Sequence, residues 1–103
     1  MNNQYKKTLY VSGNVNGQDE FTSNDILEIL IAIIPNLPFT FSSECQGVWN
    51  GQIEKSYKVE FIGIHTNLAS ELPTNSQIDS LRIALKQEAI LETIEAISFN
   101  LID

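Results

Sequence analysis

The chain carries one histidine, His65, and one cysteine, Cys45. Either residue type does chemistry when a second suitable group stands beside it, as general base, nucleophile or metal ligand. His65 closes the run "FIGIH", where a strand enters a loop. Cys45 lies on another predicted strand between Ser43 and Gly47, where a free thiol packs as a small hydrophobe. A zinc site would have to draw Cys45, His65 and carboxylates from separate elements, and the spacing fits no zinc pattern. The run "SGNVNG", Ser12 to Gly17, has two glycines ahead of a helix N-terminus. It matches neither a P-loop nor a dinucleotide fingerprint and reads as a turn. The sequence therefore assigns no catalytic residue, no metal ligand and no cofactor site.

Three other features bear on function. The only tryptophan, Trp49, sits beside an Asn-Gly turn. It either caps the core next to Tyr57 or, with Tyr57, anchors an interface, since Trp and Tyr are enriched among binding hot spots. The acidic residues fall in two groups, Asp19, Glu20, Asp25 and Glu28, then Glu88, Glu92 and Glu95. They read as a solvated face, or as an acidic surface that docks on a basic protein in the manner of small virus-encoded inhibitors. The third feature is an apolar patch, which depends on the elements that place it.

Those elements follow from periodicity. Leu9, Val11 and Val15 alternate with Tyr10 and Ser12, a strand that ends in a turn at Asn16-Gly17. Ile26, Ile29, Leu30, Ile33, Ile34 and Leu37 recur at three and four, a helix capped by Thr22 or Ser23 and stopped by Pro35. Residues 38–65 read as a hairpin about Asn50-Gly51. A strict two-residue loop sets Phe41 opposite Glu60, an aromatic core residue beside a charge. One extra residue brings Phe41 level with Val59 or Phe61, so a β-bulge is expected, placed near Gly47. A second helix carries Ile78, Leu81 and Leu85 inward with Ala84 at a close approach. Ile90, Ile94 and Ile97 suit a continued helix, whereas Ile97, Phe99 and Leu101 suit a strand, and a last strand from about Ile90 is expected.

The order β-α-β-β-α-β predicts an α+β, ferredoxin-like fold: a four-stranded antiparallel sheet with two helices on one face, as one domain over 1–103. Tyr10, Ile62 and Ile64 then fall on the uncovered face, with Lys58 and Glu60 as a polar rim. Such a patch suits self-association or a docked partner.

"GVWNG", then "EKSYKVEF", a helix and "KQEAIL" together resemble a family of small bacterial domains of unknown function. Those domains pair a Gly-x-Trp hairpin with a Gln-Glu-small-aliphatic-Leu strand after the second helix. Its members often carry Phe-Gly before the Gln-Glu, where this chain has Leu85-Lys86. The resemblance implies the fold and the final strand, and no chemistry.

Composition narrows the classes. With 43% hydrophobic and 18% charged residues the chain is globular rather than disordered. A net charge of −7 opposes binding to nucleic-acid phosphates or anionic membranes. A lone cysteine forms no internal disulfide, the N-terminus has no signal-peptide pattern and no apolar run spans a bilayer, so the cytoplasm is expected. The resulting expectation is a non-enzymatic module that docks through its open sheet face, as a homo-oligomer or on a basic protein. Its rivals are the acidic anti-defence inhibitor and an oligomer holding a small molecule or nucleotide between subunits.

Overall fold

Leu9 and Val11 on one strand, and Val59 and Phe61 on its neighbour, are almost wholly buried and define the core side of a sheet. The computed structural model describes residues 3–49, 51–66 and 70–102, with residues 44 and 49 described by backbone alone. Its elements are β1 (Gln4–Ser12), β2 (Asn14–Val15), β3 (Gln18–Asp19), α1 (Ser23–Ile33), β4 (Thr40–Trp49), β5 (Gln52–Ile64), α2 (Asn75–Ala84) and β6 (Leu91–Ala96). Four strands form one antiparallel sheet in the order β4-β5-β1-β6, and β2 and β3 form a separate small hairpin. The fold is a small α+β domain with two helices and an antiparallel sheet.

Period two decides what each strand buries. Leu9 pairs with Val59 and Val11 with Tyr57, so these four share a face. The helices cover that face: Ile26, Leu30 and Ile34 from α1 and its C-cap, and Leu81 and Leu85 from α2 and its C-cap, complete the core. Both helices start at a capping box, Thr22 with Asp25 and Thr74 with Gln77, each satisfying two otherwise orphaned donors. Lys7 is the charged exception on the core side of β1. Its Nζ donates to the Pro73 carbonyl at 3.1 Å and lies 3.5 Å from Glu92, which offsets the cost of burying an ammonium.

The sequence-based reading needs correction at several points. The β-bulge exists but lies between Ser42 and Cys45, not at Gly47. It does bring Phe41 level with Val59, and Phe41 stacks on Tyr57 at 5.5 Å. Gly47 is not in the left-handed region; it pairs with Glu54, and a Cβ there would sit 2.6 Å from Ser56 Oγ. Its lack of a side chain serves close approach, not a bulge. The last strand ends at Ala96. Beyond it the Gln4 side chain holds the Phe99 backbone by two hydrogen bonds, and Leu101 and Ile102 are exposed. Ala84 is exposed rather than packed. Asn16 and Gly17 both take positive φ, 54° and 82°, as a two-residue hairpin turn requires, so the end of the first strand leads into the extra β2–β3 hairpin. Among the described residues no helix is long and apolar enough to cross a membrane.

Candidate functional site

The uncovered sheet face is built from the even-numbered residues of β1 and β5. Across the two strands the rows are Ser12 with Ser56, Tyr10 with Lys58, Thr8 with Glu60, Lys6 with Ile62 and Gln4 with Ile64. Tyr10 and Ile62 are thus two rows apart, about 13 Å along the strands. The expected single patch of Tyr10, Ile62 and Ile64 does not form: Lys58 stands opposite Tyr10, and the row of Thr8 and Glu60 lies between Tyr10 and Ile62. Ile62 and Ile64 are 47% and 43% exposed, beside Lys6 and Gln4 at one end of the face.

The other end is concave. A groove of about 790 Å³ has Tyr10, Ser12, Cys45, Gly47, Glu54, Ser56 and Lys58 on its sheet side. Asn14 to Gly17 of the β2–β3 hairpin and Lys86 to Leu91 of the α2–β6 turn also line it. Two side chains join these two segments. Lys86 pairs with Glu20, just after β3, and Gln87 Nε2 donates to the Asn14 carbonyl at 3.3 Å. Lys86 adopts a φ of 55° at the first position past the α2 C-cap. Its N–H donates to the Ile83 carbonyl and that of Gln87 to the Arg82 carbonyl, a Schellman motif with lysine where glycine is usual. This fixes the helix end at Leu85, where the sequence has Leu85-Lys86 in place of Phe-Gly.

The groove is mixed in character. Val15, Val48, Ile90 and Leu91 supply apolar lining, and Lys58 Nζ lies 5.8 Å from the centroid of the Tyr10 ring. Cys45 Sγ donates to the Ser56 carbonyl at 2.8 Å. Of the charged lining, Lys86 is neutralised by Glu20, whereas Glu54 and Glu88 enter none of the ion pairs among the described residues. Apart from the Lys86–Glu20 pair, the groove thus presents two carboxylates and one lysine on a partly apolar lining.

The other residues singled out from sequence lie elsewhere. Tyr57 is 4% exposed and belongs to the core, not to an interface. The Trp49 backbone pairs with Gln52, and its side chain lies outside the described residues. The acidic residues do not make one surface. Asp25 closes the α1 capping box, Glu20 holds Lys86, and Asp19 and Glu28 are exposed. Glu92 sits on the helix side of β6 near Lys7, Glu95 on the opposite side near Lys6 at 3.9 Å, and Glu88 lines the groove. Spacings of three and four gather side chains on a helix, but in a strand a spacing of three divides them between faces. His65 is at the far end of the face from the groove, with Nδ1 2.9 Å from Ser70 Oγ and its ring edge-to-face with Tyr5. The sequence reading missed Ser12, Asn14, Glu54, Ser56 and Gln87. The signal available was the polar alternation Glu54, Ser56, Lys58, Glu60 opposite the core residues of β5.

No protein-family model matches the chain, and no curated protein matches it. Two solved structures do. The chain is similar to a phage SAM lyase in complex with S-methyl-5′-thioadenosine, with a TM-score of 0.67 and 18% identity over 93% of this chain and 83% of that one. It is also similar to a phage SAM lyase in the apo state, with a TM-score of 0.57 and 22% identity over 88% of this chain and 78% of that one. These likenesses cover most of the chain, and both of the proteins matched are described as lyases. The expectation of a non-enzymatic docking module is corrected accordingly: the open face that suggested docking carries a ligand-sized groove on an enzyme's fold.

Proposed function

We propose that the chain is an enzyme that cleaves S-adenosylmethionine in the groove on its open sheet face, releasing S-methyl-5′-thioadenosine. The observation that carries this reading is the fold shared over 93% of the chain with a phage SAM lyase bound to that thioether. The strand order and the split β-α-β connectivity support naming the fold ferredoxin-like. A groove of about 790 Å³ is within the range of ligand sites, roughly 300–1,000 Å³.

The chemistry suits such a groove. The sulfonium is its own leaving group. The bond between sulfur and the γ-carbon breaks, its electron pair stays on sulfur, and the product is a neutral thioether. The substrate's own carboxylate oxygen can bond to the γ-carbon in the same step and close a lactone, so no protein nucleophile and no proton transfer are needed. Positive and negative charge disappear together in the transition state, so surroundings that exclude water favour the step. Val15, Ile90 and Leu91 supply apolar surface along part of the groove. Glu54 and Glu88 face the substrate's cationic groups, and Lys58 offers a partner to its carboxylate.

The test is incubation of the purified chain with S-adenosylmethionine, followed by chromatography of the nucleosides. Protein-dependent accumulation of S-methyl-5′-thioadenosine, absent after heating the protein, is expected. Substrate that decays no faster than in buffer would overturn the reading.

A further inference from the structure

Asn14 opens β2 in the groove wall, and its carboxamide oxygen Oδ1 is buried without a hydrogen-bond partner among the described residues. Its main chain, by contrast, is held on both sides. The Asn14 N–H donates to Ser12 Oγ at 3.0 Å, and its carbonyl accepts from Gln87 Nε2 at 3.3 Å. The fold thus fixes the backbone of Asn14 and leaves its Oδ1 without a partner among the described residues. Buried polar atoms are nearly always paired in folded proteins, so an unpaired one in a cavity wall needs an explanation. A ligand that supplies the missing donor is one.

The partner must be an N–H or O–H donor, because the orphan is a carbonyl oxygen. Asn14 shares its lining with Val11, Val15 and Ile90. Ser12, Asn16 and Gln87 line the groove too, and this mixed surface of apolar side chains and hydrogen-bonding groups suits the flat body and polar edge of a heterocycle. A carboxamide offers an acceptor and a donor side by side. That pattern matches the 6-amino group and N7 of adenine, the geometry by which asparagine reads adenine edges in nucleic acids. The terminal torsion of asparagine is broad, so the amide edge can turn toward the groove at little cost.

We propose that Asn14 reads the adenine base of the ligand, Oδ1 accepting from the 6-amino group and Nδ2 donating to N7. This rests on the reading of the groove as a site for an adenosine-derived ligand. It makes Asn14 a specificity-determining residue: adenine takes both bonds at once, whereas a 6-oxo purine offers two acceptors to an amide with one donor side and keeps only one bond.

Isothermal titration of the full chain with S-methyl-5′-thioadenosine and with its 6-oxo counterpart, 5′-deoxy-5′-methylthioinosine, tests the proposal. The unaltered protein should bind the adenine compound about ten-fold tighter or more. In Asn14→Ala and Asn14→Leu, which keep the main-chain bonds, the ratio should fall to near one. Equal binding of the two compounds by the unaltered protein would overturn the assignment without any variant. A variant that folds and keeps the preference would overturn it too. Binding of neither compound would instead overturn the reading of the groove, and the Asn14 assignment with it.

Discussion

Lys86 pairs with Glu20 across 66 positions of sequence while its own backbone is held at a φ of 55°. A left-handed conformation costs a residue with a Cβ roughly 1 kcal/mol relative to glycine. Lys86→Gly and Lys86→Ala both remove the ion pair, so their difference isolates that backbone cost. The glycine variant should be about 1 kcal/mol more stable than the alanine variant in urea unfolding. Glu20→Gln should cost at most about 1 kcal/mol, because the pair is exposed. Equal stability of the two Lys86 variants would contradict the assigned strain.

Glu54 bears on binding rather than on bond cleavage. A carboxylate near a sulfonium stabilises the substrate more than a transition state in which the positive charge is fading. Glu54→Gln should therefore raise KM several-fold and raise kcat rather than lower it. Initial rates over a range of S-adenosylmethionine concentrations give both numbers. A large fall in kcat at unchanged KM would place Glu54 in a different role.

Cys45 reports on occupancy. It lines the groove, and its side chain is neither fully buried nor disulfide-bonded. Its alkylation by iodoacetamide, followed by mass spectrometry, should slow at least several-fold when S-methyl-5′-thioadenosine saturates the protein. Unchanged alkylation under saturation would put the ligand elsewhere.

The α1 cap predicts an acid-sensitive component of stability. The Asp25 carboxylate accepts from the Thr22 main-chain N–H at 2.9 Å. That bond, with the Thr22 side chain, holds the Asp25 pKa below its ordinary 3.8. A carboxyl group whose pKa is depressed by folding adds stability above its unfolded pKa and loses it as pH falls through the folded value. Asp25→Asn should thus lower the urea midpoint at pH 7, and the gap to the parent should close as pH drops below about 4. A gap of the same size at pH 3 would contradict this account of the cap.

How much of this was legible in sequence depended on whether the cause was local. The α1 stripe and the Thr22 cap are written in spacings of three and four, and the structure buries Ile26, Leu30 and Ile34 as those spacings predict. The existence of the bulge was legible because Phe41 cannot pair with a charge in the core. Its place was not, because Gly47 offered a plausible site while its missing side chain makes room for Ser56. The open-face patch failed on register: alternation gives the face a residue occupies, not the row, and Tyr10 and Ile62 share only the face. The groove joins the segment at Asn14 with the turn at Gln87, 73 positions apart. No local pattern announces that meeting. Lys7 in the core depends on Pro73 and Glu92, equally remote.

The central claim is that this chain breaks the bond between sulfur and the γ-carbon of S-adenosylmethionine. Real-time carbon-13 NMR of substrate labelled in its S-methyl group reads that bond directly, because the methyl signal moves when a sulfonium becomes a thioether. With the intact protein the sulfonium methyl signal should give way to that of S-methyl-5′-thioadenosine at a rate proportional to protein concentration. A methyl signal that stays on sulfonium, or moves to any other product, would contradict the account.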